Sequence, residues 1–262
     1  PPAQVSAQEK ENPVHLMKPS LKATPMDGDP SKLSISFTFH ATVPCAVTVL
    51  FGVHEQVDAD KLTVMWFSPV VYTAKRVVVG PGSAQAYPPP GADPIIFDTA
   101  LFPADHVFAG TDSAALPIVV VLEAESSASV GSSHSLAVRP EGCDVSDRRP
   151  LPSQATHATL TRGTSAPTVR CLRQKLQLDG SALMLQELYG MSDGGEASGV
   201  PGSAPPGVVD EGGSECVICM TEKRTVAVMP CRHVCLCSDC AEQLRLQTNK
   251  CPVCRTRVDS LV

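Results

Sequence analysis

The sequence predicts a mainly β, sandwich-like N-terminal domain followed by a small C-terminal domain built around clustered cysteines. Two observations carry this prediction. Apolar and polar residues alternate over 33–39 and again over 45–51, which is the period of half-buried strands. Eight of the 11 cysteines fall between Cys216 and Cys254, whereas the other three are scattered over the rest of the chain. The 262 residues are enough for one medium-sized domain and one small one.

The N-terminal domain is predicted to begin at residue 31, because residues 1–30 are polar and proline-rich and favour a flexible leader. Each of its first two strands would bury one apolar face in the core of the domain. The residues of these two faces are Leu33, Ile35, Phe37 and Phe39, then Cys45, Val47, Val49 and Phe51. The short break at 41–44 predicts that the two strands form an antiparallel hairpin.

The rest of this domain gives weaker signals. The continuous apolar run over 118–122 predicts a strand that is buried on both faces. Further strand patterns occupy 62–67, 135–138 and 169–178. Stretches rich in turn-forming residues predict long loops over 80–94 and 140–167. Trp66 and Cys45 are expected in the core, and His40 and His54 at the surface.

A short helix is predicted to end the domain over 181–189. Its apolar residues have the spacing i, i+3 and i+4, at Leu185, Leu188 and Tyr189. Gly190 stands where a left-handed residue would close the helix. The N-terminal domain is therefore expected to span 31–190. Residues 191–214 contain 10 Gly or Pro among 24 residues, which predicts a disordered linker.

The cysteine cluster follows this linker with regular spacing. Three Cys-x2-Cys pairs and one Cys-x-His pair provide eight donors: Cys216, Cys219, Cys231, His233, Cys237, Cys240, Cys251 and Cys254. Such a cluster is typical of either a disulfide scaffold or a metal site. No secretory signal is present at the start, so a reducing compartment and metal are favoured. Eight donors fill two tetrahedral Zn²⁺ ions and leave no open position, which predicts two structural zincs.

Cys235 is a ninth candidate ligand. If it replaced Cys237, the regular Cys-x2-Cys turn that ends at Cys240 would be lost. We therefore predict that Cys235 is a small, semi-buried residue and not a ligand.

The charge and hydropathy of the chain argue against two classes of protein, those that bind nucleic acids and those that span a membrane. The formal net charge is −6, which argues against a nucleic-acid-binding protein. The segment 215–262 carries seven Lys or Arg against five Asp or Glu, too small an excess to favour DNA. No apolar run approaches the ~20 residues of a membrane-spanning helix. The first residue is not Met, so we interpret the chain as a fragment or processed product. We expect a cytoplasmic protein, peripheral at membranes only if the missing N-terminus is lipidated.

The order of the donors resembles that of a RING finger, in which the single His is the fourth ligand. A PHD finger places its His fifth, and a FYVE finger has a different, basic motif. The resemblance implies a cross-brace with short strands and one helix. The first zinc would take Cys216, Cys219, Cys237 and Cys240, and the second Cys231, His233, Cys251 and Cys254. The RING would span 215–256, with 257–262 as a C-terminal tail.

Several segments are similar to mahogunin-type RING ubiquitin ligases, including their plant relatives. They are Glu215-Cys-Val-Ile-Cys219, Pro230-Cys-Arg-His-Val-Cys-Leu-Cys237, Leu244-Arg-Leu-Gln-Thr-Asn-Lys250 and Cys251-Pro-Val-Cys-Arg255. Outside the RING, Leu183-Met-Leu-Gln-Glu-Leu-Tyr-Gly190 and the strands around Ser36-Phe-Thr-Phe39 and Val47-Thr-Val49 resemble the same family. Residues 52–165 depart from it into Ala- and Pro-rich loops.

This resemblance implies a ubiquitin transferase that has no nucleophile of its own. Ile218, Leu244 and Pro252 would form a shallow apolar groove for a ubiquitin-conjugating enzyme. Arg255 would bridge that enzyme and ubiquitin, because the planar guanidinium donates several hydrogen bonds in fixed directions. The tail, with Val258, Leu261 and Val262, would either pack on the RING, complete a RING dimer or fray.

The β domain shows no catalytic grouping of Ser, His and Asp, no phosphate loop and no paired carboxylates. By elimination we interpret it as a module that recognises a protein substrate of unknown identity. The alternative reading of the whole chain is a non-catalytic zinc-binding adaptor, which binds partners without promoting transfer. The retained Ile218, Pro252 and Arg255 favour the enzyme.

Overall fold

The computed structural model describes residues 2–5, 10–57, 65–73, 76–108, 115–125, 152–163, 166–178, 181–190 and 214–262. The chain forms two compact units. One is Glu11–Leu185, and the other combines Pro1–Lys10 with Gln186–Val262. Two short 3-10 turns lie at Lys18–Ser20 and Thr99–Leu101. The described helices are α1 (Ala104–Val107) and α2 (Ser238–Gln247).

The described strands are, in chain order, β1 (Ala3–Gln4), β2 (Val14–Leu16), β3 (Lys22–Met26), β4 (Asp29–Ala41), β5 (Cys45–Val57), β6 (Met65–Thr73), β7 (Val77–Val79), β8 (Gly82–Tyr87), β9 (Ile95–Asp98), β10 (Ala115–Ala124), β11 (Ser153–Thr161), β12 (Thr168–Leu178), β13 (Ser181–Leu185), β14 (Val226–Met229), β15 (His233–Leu236) and β16 (Ser260–Leu261).

Where the structure describes it, the first unit is a mainly β domain made of two antiparallel sheets. One sheet has the order β13-β12-β11-β10-β5-β6, with β7 also paired to β5. In the other, β4 pairs with β2, β3, β8 and β9. The alternating apolar residues of β4 and β5 are buried in one common core. At its centre the rings of Phe51 and Phe97 stack with centroids 4.7 Å apart. The predicted sandwich-like β fold is confirmed.

The predicted hairpin between the first two strands is wrong. β4 and β5 lie in different sheets and share no ladder. Each strand points its apolar face into the common core, so the chain crosses between the sheets at 42–44 instead of turning back within one of them. Cys45 is fully buried in that core, as expected, and burial raises the pKa of its thiol to about 11.

The leader predicted over 1–30 also differs from the structure, since β2 and β3 both pair with β4. Val14 and Leu16 are fully buried. The edge strand β2 is held by side chains of the opposite sheet. Gln154 Oε1 accepts the Leu16 N–H at 2.7 Å, and Gln174 Nε2 donates to the Leu16 carbonyl at 3.1 Å.

The helix predicted over 181–189 is wrong as well. Residues Ser181–Leu185 form β13, which pairs antiparallel with β12 and sets Leu183 opposite Leu176. The chain then passes into the second unit at Gln186. Pairing with β12 outweighs the helical spacing of the apolar residues, because tertiary contacts override a weak local preference.

The remaining predictions have mixed outcomes. The strands at 118–122 and 169–178 are confirmed within β10 and β12. The loops predicted over 80–94 and 140–167 contain β8 and β11, so those predictions are wrong in part. From residue 65 onward, the strand predicted over 62–67 is present in β6. The strand at 135–138, the linker up to residue 213, Cys143 and the side chains of His54 and Trp66 lie outside the described residues.

In its described residues, the second unit is a small sheet with one helix, α2. Its sheet has the order β1-β16-β14-β15, so the C-terminal tail is a strand between β1 and β14. Leu261 lies opposite Val228 of β14 and Gln4 of β1. The tail therefore packs within its own unit. Within the described part of the chain, no helix is both long and apolar enough to cross a membrane.

Candidate metal centres

Four cysteine side chains converge in the first cluster. They are Cys216, Cys219, Cys237 and Cys240, whose sulfur atoms all lie within 4.8 Å of one another. The first pair stands in the turn that precedes β14. Cys237 is the residue before α2, and Cys240 lies in the first turn of that helix. Distant segments thus supply two ligands each.

A second cluster brings together Cys231, His233, Cys251 and Cys254, again with donor atoms within 4.8 Å. Cys231 lies in the turn between β14 and β15, and His233 begins β15. The other pair occupies the turn after α2. Along the chain the ligand pairs alternate between the two clusters, which is the arrangement that the resemblance implied.

The spacing of the donors fits Zn²⁺. In a tetrahedron with Zn–S bonds of ~2.3 Å, two sulfurs are about 3.8 Å apart. Cys219 and Cys237 have sulfurs 3.9 Å apart, and Cys251 Sγ lies 3.8 Å from His233 Nδ1. These separations are far too long for a disulfide, whose sulfurs are ~2.05 Å apart. The sequence left open a disulfide scaffold or a metal site, and the structure supports the metal site. The two clusters form complete Cys₄ and Cys₃His ligand sets for two Zn²⁺ ions.

In each cluster the surroundings lower the pKa of at least one thiol, namely Cys216 and Cys219 in the first and Cys254 in the second. Burial acts to raise the pKa of Cys216, but hydrogen bonds from the backbone N–H groups of Cys219, Cys237 and Ile218 outweigh it and lower the pKa to about 6. In the second cluster burial again opposes the shift, yet the side chain and backbone of Thr256 help to lower the pKa of Cys254 to about 6.

The other thiols show why a cation is needed. Hydrogen bonding to Cys237 and burial raise the pKa of Cys240 to about 12. Burial and the neighbouring Cys251 and Cys254 raise the pKa of Cys231 to about 12. Without a metal, several thiolates cannot ionise together at such short range. Zinc supplies the compensating charge, and in model peptides each structural site contributes roughly 10–16 kcal/mol of apparent folding free energy.

Cys235 belongs to neither cluster. It is buried between them, and burial together with the charge of Cys251 raises the pKa of its thiol to about 12. Its position agrees with the interpretation of a small core residue.

The residues predicted to contact a partner fall into two groups. Ile218, Pro252 and Arg255 are all exposed, in the two turns that hold Cys-x2-Cys pairs. Leu244 is different: it is only 6% exposed and belongs to the core of the unit. Leu244 therefore does not line an exposed groove as the resemblance implied, because the inner face of α2, with Cys240 and Ala241, needs an apolar residue one turn further on.

Sequence reasoning missed two features of this site. Exposed apolar side chains also include Met220 and Val253 beside the predicted groove residues and Leu246 on α2. In addition, Tyr189 bonds to the backbone beside the ligand His233. The first feature could have been read from the apolar residues that flank the ligands. The second had no local signal, because it joins residues more than 40 positions apart.

Two interleaved Cys/His centres on a short sheet with one helix define a RING-finger protein. Comparison with known families agrees, since residues 212–261 match the C3HC4-type zinc finger (RING finger) and residues 14–185 match the RNF157-like N-terminal domain. The chain belongs to the mahogunin-type RING-finger family, which includes plant relatives.

Three curated relatives illustrate the match. The probable E3 ubiquitin-protein ligase LUL4 of Arabidopsis thaliana is 31% identical over 260 residues, covering 99% of this chain and 65% of the relative. LOG2 of the same plant, also named a probable E3 ubiquitin-protein ligase, is 32% identical over 255 residues, covering 96% of this chain and 60% of the relative. The mouse E3 ubiquitin-protein ligase MGRN1 is 39% identical over 88 residues, covering 34% of this chain and 16% of the relative. The chain thus spans less than two thirds of the length of these relatives. No solved structure matches it.

Proposed function

We propose that this protein is a RING-type E3 ubiquitin ligase. It binds a conjugating enzyme that carries ubiquitin as a thioester and promotes transfer of the ubiquitin to lysines of a protein substrate. The single observation that carries the proposal is the pair of complete zinc-ligand sets with Ile218, Pro252 and Arg255 exposed on the adjoining turns. The names of the relatives support the same activity.

The proposed chemistry takes place on the two partners. The amine of the substrate lysine attacks the thioester carbonyl, so a C–N bond forms and the C–S bond breaks. The cysteine of the conjugating enzyme leaves as a thiolate, and the amine loses a proton to solvent. A RING has no nucleophile of its own. It accelerates this step by holding the reactants in one geometry.

Each exposed residue has a role in this scheme. Ile218 and Pro252 offer apolar contact to the conjugating enzyme, whereas the buried Leu244 acts only through the core of the RING unit. Arg255 presents a guanidinium fork that can donate to the enzyme and to ubiquitin at once. The zinc ions are structural, since all four positions of each are filled by the chain.

The decisive test is discharge of ubiquitin from charged conjugating enzymes onto free lysine, using a panel of such enzymes and the purified protein. We expect discharge that is lost with a zinc chelator and in Ile218→Ala, Pro252→Ala and Arg255→Ala. Arg257→Ala is the matched control, because Arg257 is also exposed and lies two residues further on. No discharge with any conjugating enzyme would refute the proposal in favour of a zinc-binding adaptor.

We further assign substrate recruitment to the β domain. The RNF157-like match covers nearly all of it, and within the described residues the metal clusters lie only in the other unit. Gly52→Ala tests this division, because Gly52 has φ +59° and a Cβ there would overlap the ring of Phe102. We expect that variant to keep discharge onto free lysine and to lose ubiquitination of protein substrates. Equal loss of both activities would contradict the division.

A further inference from the structure

The segment just before residue 191 is part of the RING unit and not of the β domain. The second unit resumes at Gln186, directly after β13. Tyr189 then pairs in parallel with His233 at the edge of β15 that β14 leaves open. Its N–H donates to the carbonyl of Arg232 at 2.9 Å, and its carbonyl accepts the N–H of Val234 at 2.7 Å. We call residues 186–190 the clasp.

The Tyr189 side chain lies against the second zinc centre. Its ring centroid is 5.8 Å from that of the His233 imidazole, with the two planes tilted by 46°. The Arg232 guanidinium carbon lies 5.2 Å from the Tyr189 ring centroid, within the range of a cation–π contact. Arg232 Nη2 also donates to the Tyr189 hydroxyl at 3.3 Å. One side chain thus touches both residues that follow Cys231 in the ligand turn.

The backbone of Gly190 lets the clasp reach this position. Gly190 has φ +89°, a conformation that favours glycine. A Cβ at this residue would lie 2.9 Å from the carbonyl oxygen of Val234, in the strand to which the clasp is bonded. Any larger residue would therefore push the clasp away from β15.

We propose that the clasp is an integral part of this RING and that Tyr189 is a positioning residue for the second zinc centre. Tyr189 fixes the plane of the His233 ring and the Cys231–His233 turn, and it shields this ligand from water and competing chelators. Groups that orient a metal ligand from outside the ligand set typically change metal affinity 10- to 100-fold when they are removed. The residues from 215 onward then form only part of the domain.

The first experiment measures zinc loss from the full chain, without conjugating enzyme or ubiquitin. The variants are Tyr189→Ala and Tyr189→Phe, and the matched control is Leu188→Ala, since Leu188 and Tyr189 are both 45% exposed. A chromogenic chelator reports the release of each zinc with time. We expect Tyr189→Ala to release one of the two zincs about tenfold faster or more. Tyr189→Phe keeps the ring contacts and should restore most of the retention.

Cobalt substitution identifies which centre is affected. Co²⁺ in a Cys₃His set and in a Cys₄ set gives different d–d absorption bands, so the two centres can be followed separately. We expect Tyr189→Ala to change only the Cys₃His bands. Wild-type release and spectra in Tyr189→Ala, or an equal effect of Leu188→Ala, would overturn the proposal.

Gly190→Ala provides an independent variant, because it displaces the clasp while leaving Tyr189 and every zinc ligand in the sequence. It should accelerate release from the same centre and increase hydrogen exchange at the Val234 amide. If Tyr189→Ala loses both metals through misfolding, Gly190→Ala decides the matter, and wild-type release in that variant would overturn the proposal. Since neither readout involves ubiquitin, failure here and failure of the ligase proposal are distinguishable.

Discussion

Met220 and Arg255 occupy equivalent positions in the two zinc-binding turns. Each directly follows the second cysteine of a Cys-x2-Cys pair, and each has a positive φ, 53° for Met220 and 62° for Arg255. Each also donates its N–H to the carbonyl of the first cysteine of its pair, at 2.9 Å in both cases. Both residues thus have a left-handed backbone conformation that favours glycine, although each carries a large, exposed side chain. Each turn thus presents a large side chain outward from a backbone conformation that costs free energy in a residue with a Cβ.

The equivalence yields a prediction for Arg255. Arg255→Gly removes the guanidinium and also relieves the left-handed backbone, which is worth up to about 1 kcal/mol. Zinc retention should therefore equal or exceed that of the original protein, while discharge onto lysine falls as far as in Arg255→Ala. Chelator-driven zinc release and the discharge assay measure the two effects.

Met220→Gly is the control for that prediction, because it relieves the same strain in the other turn and keeps Arg255. Its zinc retention should rise in the same way. If Arg255→Gly discharged ubiquitin normally, Arg255 would have no role in transfer.

The two leucines of α2 give the second prediction. Leu244 is 6% exposed and Leu246 is 79% exposed. Leu244→Ala should lower the free energy of unfolding of the RING unit by roughly 2–4 kcal/mol, since it empties a core position. Leu246→Ala should change it by less than about 0.5 kcal/mol. Denaturant unfolding followed by cobalt absorption measures both variants, and similar values for the two would contradict the burial of Leu244.

The sequence was most informative where the interacting residues are close in the chain. The zinc ligands come as pairs one or two residues apart, and the chemistry of sulfur and imidazole leaves few alternatives for eight of them. The strands β4 and β5 were also readable, because Phe37 and Val47 each belong to a strict alternation of apolar and polar residues. What the alternation did not reveal was the pairing, which depends on residues far away in the sequence.

Strand β11 shows why other elements were missed. Its sequence is polar, yet every residue from Ser153 to Leu160 is buried. The cost of burying Gln154 and Thr156 is offset by partners elsewhere: the Leu16 N–H bonds to Gln154, and Gln174 donates to Thr156 at 2.9 Å. A buried polar strand of this kind resembles a loop in the sequence. The hydrogen-bond partners that stabilise it come from residues far away in the chain.

His157 leads to a prediction about pH. Burial lowers the pKa of its imidazole to about 3, aided by the charges of Arg173 and Lys175. Arg173 Nε donates to His157 Nδ1 at 3.0 Å, so the folded state requires a neutral ring. The ordinary pKa is about 6.5, so between pH 6.5 and 3 the unfolded chain binds a proton that the folded domain does not. The β domain should be fully stable above pH 6.5 and lose about 2 kcal/mol by pH 5.

This loss is measured by denaturant unfolding at pH 7 and pH 5, followed by fluorescence of Trp66, the single tryptophan, which lies in the β domain. His157→Gln should flatten the pH dependence, because Gln offers an acceptor and does not titrate. His40→Gln is the control, since the His40 ring contacts Ser83 at an exposed site. An unchanged pH dependence in His157→Gln would show that other groups cause it.

The last prediction concerns the C-terminal tail, which is a central strand of the RING sheet. Ala227 donates to the Val262 carbonyl at 2.7 Å, and Val262 donates back to the Ala227 carbonyl at 3.0 Å. The Leu261 side chain is 1% exposed, whereas that of Val262 is 36% exposed. Leu261→Ala should therefore lower the free energy of unfolding of the RING unit by roughly 2–4 kcal/mol. Val262→Ala keeps both backbone hydrogen bonds and should cost less than about 1 kcal/mol.

Because the tail is already paired within its own sheet, Leu261→Ala should lower the stability that cobalt absorption reports to the same extent at every protein concentration. A loss that appeared only at low concentration would instead show that the tail holds two copies of the chain together.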